Sequence, residues 1–400
     1  MNVKYTNRDI NNIYWGILIV ILLTLINNGY FESGVISIVI YAIQMFMIMS
    51  LALKERGLLS RIFNKPIILL SAIIIIANIL SSTYDADYSL LIKYFGYIVA
   101  LCVGFNTANN INIRLSNTLL IGIVLVPLFM VVVFDKSPVK DTFFPNTNNF
   151  VFWGAVSSLL YYISSSNKRK YRTSIIILLA YILAGSTIGI VLALMAAITF
   201  VNVRSIKSFA FVSFTFIILI LLVSYSDIAI FTRIRAVIQT LSYADIRSIN
   251  DIENLNLYEL NQYANAGERS DNTSALWRIQ QWLGLISAFL NKWYYTLLIG
   301  LGDNYTTYKT GLPPHNDFLK ILCEYGMIVF IAYFKYIIRA IRILYNSNYI
   351  YIVLTIVIFH FSENLIHTFP TNFTFYFCIG YACAKTLDND KKLEYENTSN

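Results

Sequence analysis

Apolar runs of roughly twenty residues, the length an α-helix needs to cross a bilayer, alternate with short polar stretches along most of the chain. Bounded by charge, they predict helices at 11–29, 34–53, 66–84, 89–107, 117–134 and 150–166. Further helices are predicted at 173–186, 187–203, 209–226, 318–338, 349–367 and 371–386. The stretch 173–203 is read as two short helices joined by a tight turn at Ala184-Gly185-Ser186-Thr187. One helix over that whole range would be too long for a single crossing without steep tilt.

The placement of cations gives an independent count, because cytoplasmic connections carry an excess of Lys and Arg. Lys4 and Arg8 precede the first predicted helix, and Lys54, Arg56, Arg61 and Lys65 follow the second. Arg114 follows the fourth, Lys168, Arg169, Lys170 and Arg172 the sixth, Arg204 and Lys207 the eighth, and Arg339 and Arg342 the tenth. Odd-numbered connections carry instead Glu32, then Asp85 and Asp87, then a near-neutral mix at 135–149. The pattern predicts an all-α polytopic membrane protein of about twelve transmembrane helices with both termini cytoplasmic. The alternation holds only if 173–203 crosses twice.

One connection differs from the rest. Residues 227–317 form a long external loop of mixed character, and long loops with structure of their own are usually functional. Within it, 273–293 places Leu276, Ile279, Leu283, Ile286, Leu290 and Trp293 at alternating three- and four-residue steps. That spacing predicts an amphipathic helix lying in the membrane interface, with Trp277, Trp282 and Trp293 at headgroup level. The organisation expected is therefore nine helices over 1–226, the external loop over 227–317, three helices over 318–386 and a frayed cytoplasmic tail over 387–400.

Composition narrows the class. Hydrophobic residues make up 57% and charged residues 13%, with a mean hydropathy of +0.61; a soluble domain carries roughly a quarter charged residues. The net charge of +8 sits in short clusters between apolar runs, which argues against nucleic acid as a partner. The first apolar run is read as a retained helix, because Asn27-Asn28-Gly29-Tyr30 after it offers no small-x-small cleavage site. Cys102, Cys323, Cys378 and Cys383 all fall in apolar segments without a CxxC pair, and are read as packing residues.

Candidate chemistry concentrates near the end of the loop. In Pro313-Pro314-His315-Asn316-Asp317-Phe318-Leu319-Lys320, Asn316 or Asp317 can cap the tenth helix. His315 is thereby set at the external mouth of the bundle, where an imidazole can act as a general base. From spacing alone the plainer reading, an ordinary interfacial histidine, stays open. Arg278 and Trp282 are one turn apart with Arg269 upstream, and guanidinium groups suit phosphate oxygens; a solvated helix face is the other reading. Lys93 near the outer end of the fourth helix either snorkels to the surface or faces a phosphate site. Glu324 can orient a neighbouring Arg or Lys, its partner unassigned; structural pairing and catalytic support are equally open readings. His360, Glu363 and His367 share one helical face but do not match a standard zinc spacing, so no metal is expected. Asn-x-Ser/Thr triplets such as those at Asn272 and Asn304 are discounted as chance in an Asn-rich chain. No Gly-rich phosphate loop, nucleophile elbow or paired-carboxylate motif is present.

The stretch from about 173 to 338 resembles the O-antigen ligase and polymerase superfamily of membrane glycosyltransferases. The residues that carry this are Gly185-Ser186-Thr187-x-Gly189, then Arg278 and Trp282 followed by Ile299-Gly300-Leu301-Gly302. They end in His315-Asn316-Asp317-Phe318-Leu319 leading to Glu324-Tyr325-Gly326. The first 170 residues match only in hydropathy. The resemblance implies an enzyme of the bacterial inner membrane that needs no cofactor and transfers a glycan from undecaprenyl diphosphate to an acceptor hydroxyl on the periplasmic side. His315 would be the base and Arg278 a diphosphate ligand, supported by Asn316, Glu324 and Trp282. Ile188 stands where many members have an arginine, and Arg269 or Lys93 would substitute for it. Implied partners are lipid-linked oligosaccharide repeats, membrane lipids and a chain-length regulator. Within the superfamily the Ile-, Asn- and Tyr-rich composition and the Asp-Phe-Leu-Lys continuation favour a polymerase over a ligase that caps lipid A core. A repeat-unit flippase is the rival from another class, but neither an internal repeat nor an interrupted mid-membrane helix is visible.

Overall fold

The computed structural model describes residues 4–27, 33–134, 147–165, 169–184, 274–292, 294–311, 313–345, 347, 349–350, 359–361 and 368–398. Every regular element among them is a helix: α1 (Asn7–Ile26), α2 (Gly34–Lys54), α3 (Arg56–Phe63), α4 (Pro66–Ser81), α5 (Ser89–Asn110), α6 (Asn117–Phe134), α7 (Thr147–Ser164), α8 (Lys170–Ala184), α9 (Ser274–Leu290), α10 (Tyr294–Ile299), α11 (Tyr305–Thr310), α12 (Asp317–Leu344) and α13 (Phe369–Thr398). The helices predicted at 187–203 and 209–226, most of the one at 349–367, and the Gly185–Gly189 turn lie outside the described residues. Among the described helices, α2 and α5 are long and apolar enough to cross a membrane. The pair α3 and α4, bent by 92°, passes the same test as one broken span. This is the architecture of an α-helical membrane protein.

Two compact units make up the chain. The first comprises Met1–Ile76, Asp87–Ala197 and Ile331–Asn400. At its start Thr6 and Asp9 form a capping box, satisfying backbone N–H groups that the first turn of α1 leaves free. Its central contact is α5 against α13. A Cβ on Gly104 would collide with the Phe377 carbonyl, and one on Gly380 with the Leu101 carbonyl. Glycine at both places lets the two backbones approach directly, the means by which helices pack where lipid weakens the hydrophobic drive. Pro127 inside α6 removes the N–H that would reach the Ile123 carbonyl. The Trp153 indole donates to that carbonyl at 3.2 Å, and the Tyr181 hydroxyl to its neighbour Val124 at 2.6 Å. The α6 break is thus satisfied from α7 and α8, as a low-dielectric surrounding demands.

The second unit comprises Ala77–Ala86 and Ile198–Phe330. Leu285 and Phe289 of α9 pack with Leu319 and Cys323 of α12, flanked by Trp282, Leu297, Leu301 and Leu322. The tenth predicted helix, 318–338, is not continuous: Gly326 inside α12 has φ 80° and ψ 178°, which ends one helical segment and begins another. A Cβ there would meet the Leu298 carbonyl and the Gly300 amide, so only glycine fits. The break strands carbonyls at the end of the first segment. Leu301 N–H donates to the Cys323 carbonyl at 2.9 Å and Gly302 N–H to that of Glu324 at 3.2 Å. The Gly300-Leu301-Gly302 run is thereby a cap for the Glu324-Tyr325-Gly326 turn.

Two further differences concern helix ends. The connection after α2 holds α3, a short helix that the charge pattern hid, and the tail expected to fray after 386 continues as helix to Thr398. Asp388 and Lys392 stand one turn apart in that tail, a spacing that supports a helix.

Candidate functional site

The end of the loop that carries the sequence motifs folds as one piece of the second unit. Asn316 caps α12: its side-chain oxygen accepts the Leu319 N–H at 3.0 Å. Immediately before it, His315 has φ 46°, a left-handed backbone that few residues with a side chain adopt. That conformation is held from α9. The Trp282 indole donates to the Pro314 carbonyl at 2.6 Å. The Gln281 amide donates to the Thr310 hydroxyl at 2.7 Å and, more weakly, to the Pro313 carbonyl at 3.4 Å. Both carbonyls that precede the histidine are therefore gripped, and His315 itself is only half-buried. A strained residue fixed by its surroundings and still accessible is a common property of functional positions.

The partly buried Trp282 ring packs against the core of the unit and its N–H serves the Pro314 carbonyl. The side chains of Trp277 and Trp293 lie outside what is described. Arg278, one turn before Trp282 on α9, is half-buried.

Behind the histidine, α12 holds a buried ion pair. Lys320 Nζ lies 3.3 Å from Glu324 Oε2, with the two side chains 2% and 0% exposed. The other carboxylate oxygen of Glu324 accepts both the backbone N–H of Thr306, at 3.2 Å, and its hydroxyl. Lys320 is thus the partner that the sequence left unassigned for Glu324. A second tie joins the Tyr325 hydroxyl to buried Asp303 at 2.6 Å. Together these bonds fasten α11 and the turn before it to α12. Asp317, in the first turn of α12, is buried as well. Tyr305, packed edge-on to Tyr84 with ring centroids 5.5 Å apart, has its hydroxyl pushed above the usual tyrosine range by burial.

His315, Asn316, Trp282, Arg278 and Glu324 all belong to this unit. Lys93 belongs to the first, and Arg269 lies outside the described residues. The Lys93 side chain is 10% exposed and pairs with Asp87, just before α5, at 3.6 Å. Asp87 also accepts the Ser89 N–H at 2.9 Å, which fixes the start of α5. His360 is buried with its ring 6.3 Å from that of Tyr333, while Glu363 and His367 lie outside the described residues. The four cysteines are all buried and free.

Sequence reasoning passed over Gln281, Asp303, Thr306 and Lys320. Only Lys320 had a local signal, its i,i+4 spacing to Glu324; the others act through contacts distant in the chain. The sequence matches no protein-family model and no curated protein.

Proposed function

We propose that this protein is a membrane glycosyltransferase that polymerises lipid-linked sugar repeats on the outer side of a bacterial inner membrane. In this reading it crosses the membrane about twelve times with both termini in the cytoplasm, and its long loop supplies the chemistry. The observation that carries the proposal is His315 held in a left-handed backbone by two donors of α9, Gln281 and Trp282, each about one turn from Arg278.

The chemistry fits those groups. His315 accepts the proton of a sugar hydroxyl on an incoming repeat, and that oxygen attacks the anomeric carbon of the growing chain. The bond from this carbon to undecaprenyl diphosphate breaks, and the diphosphate leaves as an anion. A stabilised anion needs cations rather than a proton donor, a role given to Arg278, with Arg269 as a further candidate. The proton on His315 then passes to water. Asn316 and Trp282 position the histidine, and Glu324 with Lys320 stiffens the helix that begins there.

The test is a gel of surface glycolipid from a deletion strain complemented with wild type or His315→Ala. Polymerase function predicts that the variant leaves lipid A core capped by a single repeat. Uncapped core with long polymer left on undecaprenyl diphosphate would identify a ligase. A full wild-type ladder from His315→Ala would remove the histidine from the mechanism and favour a flippase.

A further inference from the structure

Helix α9 is apolar on two faces. Leu285 and Phe289 point into the unit core, while Ile286 and Leu290 on another side are exposed, Leu290 to 63%. The exposed surface continues through α10, where Tyr294 is 75% exposed and Tyr295, Leu298 and Ile299 are also open. The Ile299 carbonyl accepts the Asn78 amide at 2.7 Å, which ties this surface to the last turn of α4, where Leu80 is exposed as well. From 274 to 302 there is no Asp or Glu, and the charges are Arg278 and Lys292. Lys292 is exposed between Leu290 and Tyr294.

We infer that this face of α9 and α10 is a membrane-docking surface, whose occupant is the headgroup region of a phospholipid bilayer. Three properties select lipid over a second protein. Aliphatic side chains are flanked by tyrosines, whose rings suit the acyl boundary and whose hydroxyls suit water. The exposed cation has a long apolar stem that can lie along lipid while its ammonium meets phosphate. No carboxylate interrupts the patch, so nothing in it repels anionic headgroups. The patch also continues to the last turn of α4, through Asn78 and the exposed Leu80. Docked this way, α9 lies along the bilayer surface with Leu290 and Leu298 dipping toward the chains. Its opposite face, with Gln281 and Trp282, still grips the loop before His315.

The inference rests on the reading of the chain as a membrane protein. Its test uses full-length Leu290→Cys, Tyr294→Cys and Leu298→Cys, each labelled with an environment-sensitive fluorophore. The proteins are reconstituted in nanodiscs of phosphatidylethanolamine and phosphatidylglycerol. The native cysteines are buried, so the added thiol takes the label. Docking predicts blue-shifted emission, loss of intensity when part of the lipid carries a shallow spin-label quencher, and little loss with aqueous iodide. Quenching by iodide without quenching by lipid would overturn it, showing a face in water. Quenching by neither would also overturn it, showing a face covered by protein. Failure of the chain to enter nanodiscs would instead overturn the membrane reading. None of these readouts uses sugar transfer, so a chain that docks but transfers nothing would refute the proposed activity alone.

Discussion

Glu55 in the first unit and Glu324 in the second are both sealed from solvent, yet their partners are of different kinds. Glu55 accepts the Tyr5 hydroxyl at 2.8 Å and the Asn106 amide, two neutral donors, while the adjacent Lys54 turns to Asp9 at 3.6 Å. Burial pushes the Glu55 carboxyl above the usual range. Glu324 faces the ammonium of Lys320 together with the donors of Thr306. The difference teaches what each carboxylate does. Glu55 serves as a hydrogen-bonding clasp that draws the N-terminal segment, the end of α2 and α5 together. Glu324 is half of an ion pair, worth little in net stability but costly to break on one side.

The sharpest way to break this contrast is Lys320→Met. It leaves a buried carboxylate without its cation and is expected to cost about 3–5 kcal/mol, read as a lowered thermal midpoint in detergent. Adding Glu324→Gln, which keeps an acceptor for Thr306, should recover most of the loss. If the double variant is no better than the single, charge pairing is not what the site depends on.

The first unit has its own point of vulnerability in glycine rather than charge. Gly104→Ala or Gly380→Ala forces α5 and α13 apart and is expected to cost about 3 kcal/mol. A near-neutral effect on the midpoint would mean that the two backbones are not in direct contact.

Effects on rate without loss of fold should come from α9. Trp282→Phe keeps the ring in the core but removes the donor to Pro314, and Gln281→Ala removes the donor to Pro313. Each is expected to slow sugar transfer about tenfold while leaving the thermal midpoint within a few degrees, since loss of one such bond is worth about 1 kcal/mol. Unchanged turnover in both would separate these residues from His315.

The smallest effect, and the most specific, belongs to Glu55→Gln. A carboxyl whose pKa is raised on folding binds more protons in the native state than in the unfolded one. Its contribution is complete below the ordinary carboxylate range and falls away as pH rises through the raised value. The wild-type midpoint should therefore drop across that window relative to Glu55→Gln, which cannot ionise. Parallel pH profiles for the two proteins would show that Glu55 is ionised throughout.

Helices were largely legible from the apolar pattern, because a span announces itself through twenty local residues. The predicted 34–53, 89–107 and 117–134 correspond to α2, α5 and α6 within a few positions. What the pattern missed depends on contacts far apart in sequence. Gly326 breaks α12 because the Leu298–Gly300 backbone lies against it, which no local reading of an apolar run discloses. Trp282 looked like an interfacial anchor, yet its N–H is taken by a carbonyl 32 positions away. Within the candidate site, the asparagine cap was read from local spacing, while the four-residue step from Lys320 to Glu324 was a local signal passed over. The Gln281, Asp303 and Thr306 contacts had no such signal, since each joins separate elements.

The central claim is that this chain joins lipid-linked repeats through His315. The most direct measurement takes the purified protein in nanodiscs, adds undecaprenyl-diphosphate-linked repeats from membranes of the deletion strain, and follows undecaprenyl diphosphate release and chain growth together. The account predicts one diphosphate released for each linkage formed by wild type, and neither product from folded His315→Ala. Equal turnover by the two proteins, or no diphosphate release by wild type, would contradict it.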